Sequence, residues 1–75
     1  MPHFSFTINQ GGRPRPTIVS DQPDDDTAKR EGAGMFADLA RDIAGELQST
    51  PDWLIEVADE TGKSILKIKI TAEFK

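Results

Sequence analysis

The chain has 75 residues, with 13 aspartate and glutamate side chains against 9 lysine and arginine, a formal net charge of -4, and no cysteine. That length holds one small domain, residues 1–75, and excludes a second; without cysteine, neither disulfides nor thiolate-bound metals can reinforce its core. The acidic balance disfavours a large phosphate-tracking surface and leaves only a local basic patch for any nucleic acid.

The first segment, "HFSFTIN", alternates strictly. Phe4, Phe6 and Ile8 share one face, with His3, Ser5 and Thr7 on the other, which predicts a half-buried strand over about residues 3–9. "QGGRPRP" breaks it: Gly11 and Gly12 permit positive φ, while Pro14 and Pro16 have no amide donor and bias Arg13 and Arg15 towards extended geometry. "TIVS", residues 17–20, follows as a short second strand, so the segment reads as a hairpin with a loose, exposed tip. From about residue 27 to 48 apolar side chains recur at Ala28, Met35, Phe36, Leu39, Ile43 and Leu47, the stripe of an amphipathic helix. Asp24, Asp25 and Asp26 precede it, where negative charge and capping favour a helix N-terminus. Gly32 and Gly34 each cost about 1 kcal/mol relative to alanine in a helix interior, and the expectation is a frayed first turn or a close approach to another backbone. Strands resume over about 52–59, with Trp53, Ile55 and Val57 on one face, and over about 64–74, with Leu66, Ile68, Ile70, Ala72 and Phe74 on one face. Between them Glu60-Thr61-Gly62 suits a type I turn closed by a left-handed glycine.

Gly62-Lys63-Ser64 ends as a phosphate-binding loop ends. The required glycine five positions earlier is Val57, however, and the segment leads into a strand rather than a helix N-terminus, so it reads as a turn. Pro2 invites comparison with the tautomerases, whose free N-terminal proline is a general base. With Met1 attached its nitrogen is an amide without useful basicity, and the loop and second strand after the first do not follow that family's order. His3, the single histidine, has no metal-binding companion at a recognisable spacing, and "DQPDDDTAKREG" lacks the alternating ligands of a calcium loop. None of Ser5, Ser20, Ser49 and Ser64 sits in a nucleophile elbow. The reading assigns no catalytic, cofactor-binding or metal-binding residue and no enzymatic activity. "MPHFSFTINQ" has no basic n-region followed by an apolar h-region, and no apolar run approaches the roughly 18 residues of a membrane span. The expectation is a cytoplasmic protein without a membrane partner.

"MPHFSF" followed by "GG", the "DDTAKRE" approach to the helix and "VADETGKSIL" together resemble a family of short bacterial proteins of unknown function, many from soil and plant-associated species. Its features are an MPxxxF opening and a V-x-D-E-x-G hairpin, and the likeness spans nearly the whole chain. Gly32 and Gly34 stand where that family has an alanine-rich helix, and the Arg-Pro repeat departs from it. The resemblance implies one compact domain and no established activity.

These readings give an α+β fold of order ββαββ, a small antiparallel sheet with one helix packed on one face. A single helix covers one side only, and Ile65 and Leu54 fall opposite their apolar neighbours in the alternation. Leftover apolar surface and a free sheet edge favour a homodimer or a docked protein partner, with Trp53, Leu54, Ile65, Arg13 and Arg15 as the candidate interaction surface. The leading function is a non-enzymatic interaction or regulatory module; the alternative is a nucleic-acid-associated protein using Arg13, Arg15, Lys67 and Lys69.

Overall fold

The computed structural model describes Met1–Lys75 throughout and places β1 (His3–Gln10) inside a five-stranded antiparallel sheet. Phe4, Phe6 and Ile8 alternate into the core, as a strand with one covered face requires. After Gln10 the chain reverses tightly. Gly11 and Gly12 have φ of 59° and 84°, the left-handed pair of a two-residue type I′ turn, which sets Arg13 opposite Gln10. The predicted loose tip is therefore paired: β2 (Arg13–Pro14) continues back along β1 for two residues. Pro14 and Pro16 cannot donate to a ladder, and the strand lapses until β3 (Ile18–Asp21), which resumes along the same side of β1 with Phe6 opposite Ile18 and His3 opposite Asp21.

Asp24 ends this strand region and caps α1 (Asp25–Glu46). Its backbone is extended, with φ of −160°, and its carboxylate accepts the Thr27 N–H at 2.7 Å. With Asp25 and Asp26 in the first turn beside the positive end of the helix dipole, the helix starts two residues before the predicted boundary and also ends two residues before it. At 22 residues it runs about 33 Å. It carries the chain from β3 across β1 to β4 (Asp52–Ala58), which pairs with β1 on the opposite side. β3 and β4 thus run parallel to each other with β1 between them. β5 (Ser64–Thr71) then pairs antiparallel with β4 at the other edge.

The core lies between the sheet and α1 in two joined groups. Phe4, Phe6, Ala28 and Val57 form one; Ile8, Ile43, Trp53 and Ile55 form the other, and Met35 packs against both. Gly32 does not fray the helix. It is buried, and a Cβ placed on it would stand 2.6 Å from Val57 Cγ2 and 3.0 Å from Leu66 Cδ2, so the missing side chain lets α1 seat directly on β4 and β5. The close approach is to side chains of the sheet, rather than to a backbone.

Two predicted features of the last hairpin change. The register shifts by one between Val57, opposite Leu66, and Ala58, opposite Ser64, leaving Ile65 as an extra residue with no partner across the ladder. Instead of projecting from the far face, Ile65 is half-buried against the Phe4, Phe6, Ala28 and Val57 group. The strand expected to reach residue 74 stops at Thr71, opposite Asp52, where β4 begins. One bond persists beyond it, from Ala72 N–H to Pro51 O, but Phe74 is exposed and is not a core residue.

The seat of the helix yields a paired test. Gly34 has open space where a Cβ would be, so Gly34→Ala should stabilise by about 1 kcal/mol. At Gly32 the same propensity gain meets overpacking against Val57 and Leu66, which costs about 1–3 kcal/mol; Gly32→Ala should lower stability. Urea unfolding of both variants checks the opposite signs.

Candidate interaction surface

The sheet face away from α1 is polar. Cross-strand rows place Thr7, Glu56 and Lys67 side by side, and Asn9, Leu54 and Lys69 side by side. Leu54 is half-buried there, an isolated apolar side chain between Asn9 and Lys69 rather than the centre of a patch. Lys67 Nζ lies 3.8 Å from Glu56 Oε2, an exposed pair of the kind that contributes little, about 0–1 kcal/mol. With Ile65 drawn into the core by the bulge, this face has no large apolar surface of the sort the alternation suggested.

Trp53 also belongs to the core rather than to the surface. Its side chain is 2 % exposed on the helix-facing side, and its indole N–H donates to Thr50 O at 3.0 Å. The Arg15 guanidinium lies over the ring, 5.5 Å from its centroid. Arg15 Nη2 donates to Gln10 Oε1 at 3.0 Å, and Gln10 Nε2 donates to Glu46 Oε2 at 2.8 Å. This chain of contacts joins the Arg-Pro segment, the end of β1 and the end of α1 over the indole. Arg15 therefore closes the rim of the core at that end.

The four candidate cations are not brought together. Arg15 lies on the helix-facing side over Trp53, and Arg13 stands opposite Gln10 on that same side. Lys67 and Lys69 lie on the polar face of β5, with β4 and β1 intervening. Near the end of β1 are two open depressions. One, of about 460 Å³, is polar and includes Arg13, Thr50 and Asp52 in its lining. The other, of about 440 Å³, includes Trp53, Leu54 and Lys69. No group of three or more histidine or carboxylate side chains is placed to hold a metal ion.

The remaining candidate groups serve the backbone. Pro2 is half-buried and its carbonyl accepts the Gln22 N–H at 3.1 Å, fastening the start of β1 to the end of β3, while His3 Nδ1 pairs with Asp21 Oδ1 across the same two strands. In the last hairpin, Asp59 Oδ1 accepts from Thr61 Oγ1 at 2.6 Å, Thr61 N–H at 2.9 Å and Lys63 N–H at 3.0 Å. These bonds, the Thr61 hydroxyl first, hold the Asp59 carboxyl below its ordinary pKa. Gly62 has φ of 88° and its N–H donates to Asp59 O at 2.9 Å. Gly62-Lys63-Ser64 is thus the closing limb of a β-turn. At the helix start the side-chain and backbone hydrogen bonds with Thr27 likewise lower the Asp24 pKa.

Of the four large apolar side chains that the structure exposes, Met1 and Phe74 lie near the chain ends, outside the strands, and the other two lie at a sheet edge. Ile18 and Val19 are 54 % and 63 % exposed on neighbouring positions of β3, one on each face of the sheet. The sequence pattern does not single them out, because "TIVS" marks a strand but carries no sign of which strands flank it. Two adjacent β-branched residues immediately after a Pro-rich break were the available signal.

Fold and surface define a small α+β protein in which one helix packs on one face of a four-row antiparallel sheet, over β4 and β5, and the β3 edge carries exposed apolar side chains. The chain belongs to the family described as Domain of unknown function (DUF6894), which it matches over residues 3–71, from the first residue of β1 to the last of β5. No curated protein and no solved structure matches it.

The covering of the indole by Arg15 can be measured directly, since Trp53 is the sole tryptophan. A cation over an aromatic ring contributes about 0.5–1 kcal/mol at an exposed site. Arg15→Ala should lower stability by about that amount and shift Trp53 emission to the red, with stronger quenching by acrylamide; unchanged emission would show that the guanidinium does not shield the ring.

Proposed function

We propose that this protein is a small non-enzymatic interaction or regulatory module, acting by self-association or by docking a protein partner along an edge of its sheet. The observation that carries the reading is the difference between the two edges. The outer edge of β5 is lined by Lys67 and Lys69, and lysines on an edge strand discourage pairing with another chain. The outer edge of β3 has no lysine, and between the prolines that precede it and Asp21 at its end it presents Ile18 and Val19 to solvent. An uncovered edge with apolar side chains on both faces is suited to strand addition, in which main-chain hydrogen bonds give affinity and alternate side chains give specificity.

The cytoplasm suits this reading, because a chain with no cysteine gains nothing from an oxidising compartment. No helix is long and apolar enough to cross a membrane. The MPxxxF opening and the V-x-D-E-x-G hairpin are proposed as recurrent family features with structural work: Phe4 and Phe6 anchor β1 in the core, and Asp59 and Gly62 build the turn between β4 and β5.

Light scattering on a size-exclusion column, over a series from low micromolar to millimolar protein, tests the self-associating form. A mean mass that rises above the 8.2 kDa of one chain as concentration increases is expected. A mass constant at that value across the series would contradict self-association.

A further inference from the structure

We infer that residues 13–22, which hold β2, β3 and the proline break between them, form a strap that opens from β1 as a unit while the rest of the domain stays folded. The inference goes beyond the interaction reading and stands whether or not the β3 edge takes a partner.

The strap is held from one side. β2 and β3 pair with β1, whereas α1 packs on β4 and β5. Between Arg13 and Gln22 no side chain is buried and none joins either core group; Arg15, over the Trp53 ring, is the tie to the core. The ladder is also interrupted. Asn9 faces Pro14 and Phe6 faces Ile18, so the strap takes one residue more than β1 over that stretch, and a single backbone bond, Arg15 N–H to Ile8 O at 2.8 Å, spans the gap. At the far end Pro2 has no N–H to give, which leaves Gln22 N–H to Pro2 O at 3.1 Å as a lone bond, and the exposed His3–Asp21 pair adds little. Few buried apolar contacts and solvent-facing backbone bonds mark a segment that opens at a lower free energy than global unfolding.

The core does not depend on the strap. Gly11 and Gly12 form the turn at one end, where glycine gives the backbone freedom to swing. At the other end Asp24 caps α1 by itself, its carboxylate accepting the Thr27 N–H and its carbonyl the Ala28 N–H, so the helix start survives without β3. β1 stays in place through the buried Phe4, Phe6 and Ile8 and through its pairing with β4 from Ser5 to Gln10. Closed, the strap guards the edge of an eight-residue strand; open, it releases that edge for pairing.

Backbone direction makes the opening visible within one strand. Gln22 N–H donates to Pro2 O, whereas Gly11 N–H donates to Asp52 O. Groups on an antiparallel strand alternate sides, so Phe4 and Phe6 turn theirs to the strap while Ser5, Thr7 and Asn9 turn theirs to β4. On the strap Ile18 and Ser20 face inward, Val19 and Asp21 outward. At the β5 edge, where Ala72 N–H donates inward to Pro51 O, Lys67 and Lys69 face outward.

Native-state hydrogen exchange of the full chain tests the strap, at dilute protein, over a series of sub-denaturing urea concentrations and at a pH where rates follow the opening equilibrium. Val19 and Lys69 amides serve as unprotected references. Protection at Phe4, Phe6, Ile18 and Ser20 is expected to be at least about tenfold lower than at Ser5, Thr7 and Asn9, with a weaker urea dependence because less surface is exposed. Gly34→Ala, which favours α1 equally in the strap-closed and strap-open forms, should slow exchange at Ser5, Thr7 and Asn9 about fivefold and leave Phe4, Phe6, Ile18 and Ser20 unchanged. Amides on both sides of β1 that share one urea dependence, or that slow together in Gly34→Ala, would show that the segment opens only with the whole domain and overturn the inference.

Discussion

The structure depends on how one helix is seated against a sheet wider than itself. Gly32 supplies the seat: with no Cβ, it lets α1 settle onto Val57 and Leu66, over β4 and β5. A larger residue at that position would lift the helix from both strands at once. From this contact Ala28, Met35, Phe36, Leu39 and Ile43 follow at helical spacing along the groove, filling it with the inward side chains of β1, β4 and β5. The glycine is unfavourable to the isolated helix and favourable to the packed one, and packing prevails because Val57 is buried and β-branched, with little freedom to move aside.

Seated there, the helix cannot also cover β3. The chain meets the resulting exposure unequally at its margins. Over Trp53 the Arg15 guanidinium, Gln10 and Glu46 form a polar closure that keeps solvent from the indole. At the other end of the hairpin the unpaired Ile65 turns into the Phe4 and Phe6 group, removing an apolar side chain from the outer face. Lysines line β5. β3 carries no lysine and is limited instead by its four-residue length, the prolines before it and Asp21 at its end, and Ile18 and Val19 stay in solvent; this asymmetry supports the interaction role proposed above.

Much of this fold was readable from local pattern. Alternation at Phe4, Phe6 and Ile8 and at Trp53, Ile55 and Val57 identified the two central strands, and the Glu60-Thr61-Gly62 turn took the geometry its residues suggested, because period and turn chemistry are encoded within a few residues. Strand order was not encoded in that way. Whether β1 lies between β3 and β4 depends on pairing across tens of residues, and with it goes the knowledge that Ile18 and Val19 lie on an edge. The bulge hid Ile65 for a related reason: one extra residue reverses which face a side chain meets, and periodicity has no mark for it. Phe74 continued the alternation past the point where β4 could partner it. Of the candidate surface, Trp53 and Ile65 proved to be packing residues, Arg15 a cover for Trp53, and Leu54 an isolated half-buried residue on a polar face.

The central claim is that the two edges differ in their capacity to pair, and amide hydrogen exchange resolved by residue addresses it most directly. Exchange would be followed at dilute and at concentrated protein, comparing the outward amides of Val19 and Asp21 with those of Lys67 and Lys69. The account predicts protection that grows with concentration at Val19 and Asp21 while Lys67 and Lys69 exchange at the same rate in both samples. Protection appearing at Lys67 and Lys69, or at neither edge, would contradict it.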